Sequence, residues 1–136
     1  HICYVGYCGG PVGTARYFYD AYIKTKDDSF LDAFEDAIDG LVLVDAPYHR
    51  SEGYWEVDNY CCGTAGILQL FNAAYIITGK DKYLQKILAI FLSIGQKWLT
   101  IKHSGNKLLK EKYQKIFQSA WVTMTAQQVS QHPWYN

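Results

Sequence analysis

The sequence predicts an all-α protein assembled from helical hairpins, and an internal repeat is the first reason. Residues 7–31 and 60–84 align at a constant offset of 53 without a gap, and eleven of the twenty-five positions are identical. The matches are Tyr7/Tyr60, Cys8/Cys61, Gly10/Gly63, Gly13/Gly66, Phe18/Phe71, Ala21/Ala74, Tyr22/Tyr75, Ile23/Ile76, Thr25/Thr78, Asp28/Asp81 and Leu31/Leu84. Chance does not place so many identities in one ungapped window, whereas duplication does. The second reason is apolar spacing of helical period in both copies, and the third is a polar break at the same place in each. Hairpins of about 50 residues bury their inner faces only against neighbouring units, the arrangement of an α/α solenoid or toroid.

The elements follow in order. The first copy opens on a glycine-rich loop, Cys8-Gly9-Gly10-Pro11-Val12-Gly13, and residues 14–24 then contain neither proline nor glycine. Ala15, Phe18, Ala21 and Tyr22 recur there at helical spacing, so an inner helix is expected. After Lys26-Asp27-Asp28, with Asp28 or Ser29 as the expected N-cap, Phe30, Leu31, Phe34, Ile38 and Leu41 mark an amphipathic helix. The second copy opens at Cys61-Cys62-Gly63-Thr64-Ala65-Gly66 and continues through Leu68, Leu70, Phe71, Ala74 and Tyr75. Its break is Gly79-Lys80-Asp81, with Asp81 as the expected N-cap, and Tyr83, Leu84, Ile87, Leu88, Phe91 and Ile94 mark its outer helix. A fifth helix is expected over about 106–131, ending before Pro133. Residues 43–59 form the one long loop, with room for a short strand. The organisation is one domain over 1–136: repeat one about 7–59, repeat two about 60–105, and a C-terminal helix.

Composition narrows the function classes. Apolar residues make up 49% and aromatics 16%, enough to build a core and too many for disorder. Basic and acidic side chains number 13 each, and neither a basic excess nor a basic stripe is visible, so no nucleic-acid partner is expected. The apolar run 68–77 is interrupted by polar residues and is too short for a membrane span. No charged segment leads into an apolar one at the start, which points to a cytoplasmic protein.

The chemistry lies at the start of each repeat. Four cysteines are present, Cys3, Cys8, Cys61 and Cys62, and an adjacent pair is poor geometry for two independent disulfides. In a reducing compartment clustered cysteines serve metal binding or catalysis, the plain alternative being buried thiols. Cys8 and Cys61 occupy equivalent loops, and a helix N-terminus favours nearby negative charge. Equivalent ends of adjacent repeats face the same axis, so Cys8 is expected beside the Cys61-Cys62 pair. Three soft donors at one point suit Zn²⁺ with a fourth position open. Gly10, Gly13, Gly63 and Gly66 are the loop glycines that permit sharp turns and close approach.

These motifs resemble those of the lanthionine synthetase C-like family. Residues 7–13 are similar to its Trp-Cys-x-Gly-x-x-Gly repeat opening, with Tyr7 for Trp. Residues 61–66 are similar to its Cys-His-Gly-x-x-Gly opening, with Cys62 for His. The three-cysteine set resembles the variant of some fused, bifunctional lanthipeptide synthetases, and the likeness covers about residues 1–95. It implies an α/α toroid with catalytic zinc on Cys8, Cys61 and Cys62. The implied reaction is thioether formation: the thiol of a dehydrated precursor peptide, or of glutathione, adds to a dehydroalanine or dehydrobutyrine. The family's histidine from an earlier repeat has no counterpart, which leaves His49, in the long loop, as the candidate acid or base. With about two repeats present, the chain is expected to be a toroid fragment, inactive alone, whose apolar flank is covered by the remainder of the toroid or by self-association. Two other classes stay open. One is a non-catalytic zinc- or thiol-binding relative; the other is a toroidal carbohydrate-active hydrolase using two of Asp45, Glu52, Glu56 and Asp58.

Overall fold

The computed structural model describes residues 5–47, 61 and 63–125, with side chains through Ile116 and of Gln118. Every regular element among them is a helix: α1 Pro11–Thr25, α2 Asp28–Leu43, α3 Thr64–Thr78, α4 Asp81–Ile101 and α5 Lys107–Thr125. The protein is all-α. The offset of 53 that relates the sequences also relates the helix starts, Pro11 to Thr64 and Asp28 to Asp81. Both inner helices are 15 residues long.

The hairpin turns repeat down to their hydrogen bonds. Lys26 N–H donates to the Tyr22 carbonyl at 2.8 Å, and Gly79 N–H to the Tyr75 carbonyl at 2.8 Å. Thr25 Oγ1 donates to the Ala21 carbonyl at 2.8 Å, and Thr78 Oγ1 to the Ala74 carbonyl at 2.7 Å. Each hydroxyl then accepts from a backbone N–H two residues on, Asp27 and Lys80, both at 3.2 Å. Lys26 and Gly79 both take the left-handed conformation, at φ 58° and 67°, which stops the helix by turning the next carbonyl out of line.

Three local expectations are corrected. The inner helices begin at Pro11 and Thr64, so Gly13 and Gly66 sit in the first helical turn and not in the loop. Proline at the first helical position needs no amide hydrogen, so Pro11 starts the helix instead of delaying it. The cap of α2 is Asp27, one residue before the expected pair, and its carboxylate accepts from Ser29 N–H at 2.9 Å. At the equivalent place α4 is capped by Lys80, which has no side-chain oxygen to offer, and Asp81 stands in the first turn. The end expected for the fifth helix, at 131, lies outside the described residues.

The chain divides into two compact units, residues 1–70 and 71–136, with the division inside α3. In the first, Val12, Ala15 and Tyr19 of α1 and Phe34, Ile38 and Leu41 of α2 are buried. The Tyr19 ring lies 5.5 Å from that of Phe34. Burial, with the Asp20 charge alongside, pushes the Tyr19 hydroxyl up to about 12. Tyr17, two residues before Tyr19, is exposed. The start of the long loop is itself ordered. Ala46 N–H reaches the Leu41 carbonyl and Asp45 N–H the Val42 carbonyl, both at 3.0 Å, with Asp45 left-handed. This is the double-bonded helix stop that joins an apolar residue beyond the helix to one inside it, and Ala46 and Leu41 are both buried.

In the second unit Phe71 packs on Tyr83, with ring centroids 6.2 Å apart. Tyr83, Ile87, Ile90 and Ile94 form the buried stripe of α4, and α5 packs against that helix. Leu88, expected on this stripe, faces outward, and Ile90 takes its place. Residues 64–74 of α3, which straddle the division, are all buried, the polar Thr64, Gln69 and Asn72 among them.

Candidate metal centre

The cysteine loops are built around one close approach. Gly10 is the extended N-cap of α1, and its amide donates to the Gly6 carbonyl at 2.9 Å. Its own carbonyl receives Thr14 N–H at 3.3 Å, as the Gly63 carbonyl receives Ile67 N–H at 3.3 Å. A Cβ on Gly13 would fall on the Tyr7 carbonyl oxygen, so only glycine lets the chain return over the first turn. Gly13 is required by contact and not by a positive φ. Tyr7 N–H donates to the Cys61 carbonyl at 2.8 Å and ties the two loops together.

That tie brings the sulfurs to one point. Cys8 Sγ and Cys61 Sγ stand 2.9 Å apart, on exposed residues and without a disulfide between them. A disulfide bond is about 2.05 Å long. Two sulfurs bound tetrahedrally to one zinc at about 2.3 Å are roughly 3.8 Å apart. The observed separation lies between the two, so a displacement of less than about 1 Å reaches either state. Paired, exposed thiols at a helix-opening loop are the donor chemistry that a soft divalent cation takes, and the described part of the site fits zinc in that respect.

Among the described residues no group of three His, Cys, Asp or Glu side chains gathers. Of the three cysteines expected at the centre, Cys8 and Cys61 are brought together; Cys62, the chain neighbour of Cys61, lies outside the described residues, as does His49. Of the acidic loop residues weighed for glycoside hydrolysis, Asp45 is exposed in the α2 stop, and Glu52, Glu56 and Asp58 lie outside the described residues.

One neighbour was not visible in the spacing. Arg16 Nη1 donates to Tyr7 Oη at 3.3 Å, and its guanidinium carbon lies 5.4 Å from the Tyr7 ring centroid. A cation therefore stands beside the residue that precedes Cys8. The available signal was weak: Arg16 is the only arginine of α1, about one turn and a half into it, and its repeat equivalent is the uncharged, buried Gln69.

Comparison of the chain with family models, with curated proteins and with solved structures returns no match. No helix among the described residues is long and apolar enough to cross a membrane.

Proposed function

We propose that this chain carries the zinc site of a lanthionine-forming cyclase of the α/α-toroid type, with Cys8, Cys61 and Cys62 as ligands. The supporting observation is the 2.9 Å approach of the Cys8 and Cys61 sulfurs at repeat-equivalent positions. Zinc bound there would supply thiol activation, holding a substrate sulfur as a nucleophile at neutral pH. The protein's own residues do the rest. Three thiolates would make the centre net anionic, which weakens its hold on a fourth sulfur and keeps that sulfur nucleophilic. The Tyr7–Cys61 backbone bond and the contact at Gly13 keep the ligand loops in register before any metal arrives. Arg16, at the exposed rim, offers a cation to the carboxylates or carbonyls of a peptide chain.

On this reading the substrate is a dehydrated precursor peptide, or glutathione as the thiol, and the ligands' need for reduced sulfur fits a cytoplasmic setting. His49 is the residue to test as proton donor to the carbanion formed on addition.

Elemental analysis of freshly reduced protein should find about one zinc per chain, lost in Cys8→Ala and in Cys62→Ala. Cys62→His should retain it, because a histidine nitrogen is an equally competent ligand. Metal-free reduced protein with native helicity would overturn the proposal. Because the chain by itself is expected to be inactive, the catalytic test supplies the remainder of the toroid. Zinc binding with glutathione uptake but still no thioether formed on a dehydrated peptide would leave the non-catalytic reading in its place.

A further inference from the structure

A zero net charge conceals a division. Residues 1–70 hold four basic and eleven acidic side chains, a balance of −7, whereas residues 71–136 hold nine lysines and two acids, a balance of +7. Among the described residues, part of this charge is displayed on α2 and α5. Asp28, Asp32 and Asp36 are exposed on α2, a helix without a basic residue, and Lys107, Lys110, Lys112 and Lys115 are exposed on α5.

Each unit also exposes apolar surface. In the acidic unit, Leu43 at the end of α2 is 86% exposed, one turn beyond Asp39 and two beyond Asp36. In the basic unit, α4 carries a hollow of about 320 Å³ lined by Phe91, Leu92, Gly95, Gln96, Trp98 and Leu99. The repeat supplies an internal control. Leu88 and Leu92, both exposed, stand where α2 has Glu35 and Asp39, so the same outward stripe is acidic in one hairpin and leucine-bearing in the other.

We propose that copies of this chain associate head to tail, the lysine-bearing unit of one docking on the acidic α2 of the next, with Leu43 seated in the α4 hollow. Opposite potentials attract over about a Debye length and set the orientation, and the leucine contact adds the short-range term. A symmetric pairing of two α4 faces would instead bring together two units of +7, which repel. A protruding residue on one surface and a hollow on another make a heterologous contact, so association can extend beyond two copies. The inference is independent of the metal centre.

Light scattering and sedimentation velocity on the reduced chain test it. Mass should rise with concentration at low salt and fall to that of the single chain near 1 M salt, where the screening length is about 3 Å. Asp32→Lys with Asp36→Lys, and separately Lys110→Glu with Lys112→Glu, should each weaken association about tenfold with helicity unchanged. An equimolar mixture of the two variants should restore it, because the reversed α2 of one then meets the reversed α5 of the other. Leu43→Ser should weaken it without altering the salt dependence. A single-chain mass at every concentration would overturn the proposal. So would a mixture that fails to associate, a dimer that strengthens with salt, or lysines that bind anionic vesicles or duplex DNA while the chain stays a monomer.

Discussion

The α1–α2 and α3–α4 hairpins share a backbone and differ in surroundings. Their turns share the same backbone and threonine hydrogen bonds, and their inner helices are equal in length. Yet Phe18 is half-buried where the identical Phe71 is 0% exposed, and Ala21 is half-buried where Ala74 is sealed. Tyr19 fills the core of the first hairpin at the position where the second buries Asn72. Local sequence therefore sets the hairpin, and neighbours set what each of its faces is worth.

The largest expected effect follows from that difference. Phe71→Ala should destabilise the protein by about 3–5 kcal/mol, the range for a sealed aromatic. Phe18→Ala, at the equivalent position, should cost about 1–2 kcal/mol, in keeping with its partial burial. Equal losses in chemical denaturation would show that the two hairpins are energetically alike after all. The turns give a smaller contrast. Gly79→Ala meets no atom within 4 Å, so its cost is the left-handed backbone alone, about 1 kcal/mol. Lys26→Gly should run the other way and gain about 0.5 kcal/mol, since the conformation is shared and only the residue is wrong for it.

The smallest effect is at the caps. Lys80→Asp should give α4 the side-chain cap that Asp27 gives α2, a gain of about 0.5–1 kcal/mol read from thermal melting. The Asp27 cap should also depend on pH. Hydrogen bonds from Ser29, through its side chain and its backbone, hold the Asp27 carboxyl below the ordinary carboxylate range. A carboxyl depressed in the folded state stabilises above its unfolded value and loses that contribution as pH falls through the folded one. Melts of the natural chain and of Asp27→Ala should therefore differ near neutral pH and converge in strong acid. A difference that persists in acid would mean the cap acts through something other than the charge.

Much of the fold was legible because it is local. Spacing of apolar residues, two polar breaks and a fixed offset located five helices, and the misplaced caps were each off by a single residue. Part of the candidate centre was legible for the same reason, since a repeat places Cys8 and Cys61 at like points of like loops. Their approach to 2.9 Å was not, because it depends on a backbone bond between Tyr7 and Cys61 and on a glycine contact that no periodicity encodes. Arg16 was missed because its role comes from where α1 starts relative to Tyr7.

The charge division shows the limit most plainly. Summed over the chain it vanishes, and only the boundary between compact units says which residues to sum. The sequence by itself determined the repeat, the hairpins and the paired cysteine loops, because these depend on residues within a turn or two of one another. Tertiary structure decided which of two identical phenylalanines is sealed, which leucines face outward and how near two sulfurs come. Those depend on atoms dozens of residues away, and a linear pattern carries no record of which distant atoms arrive.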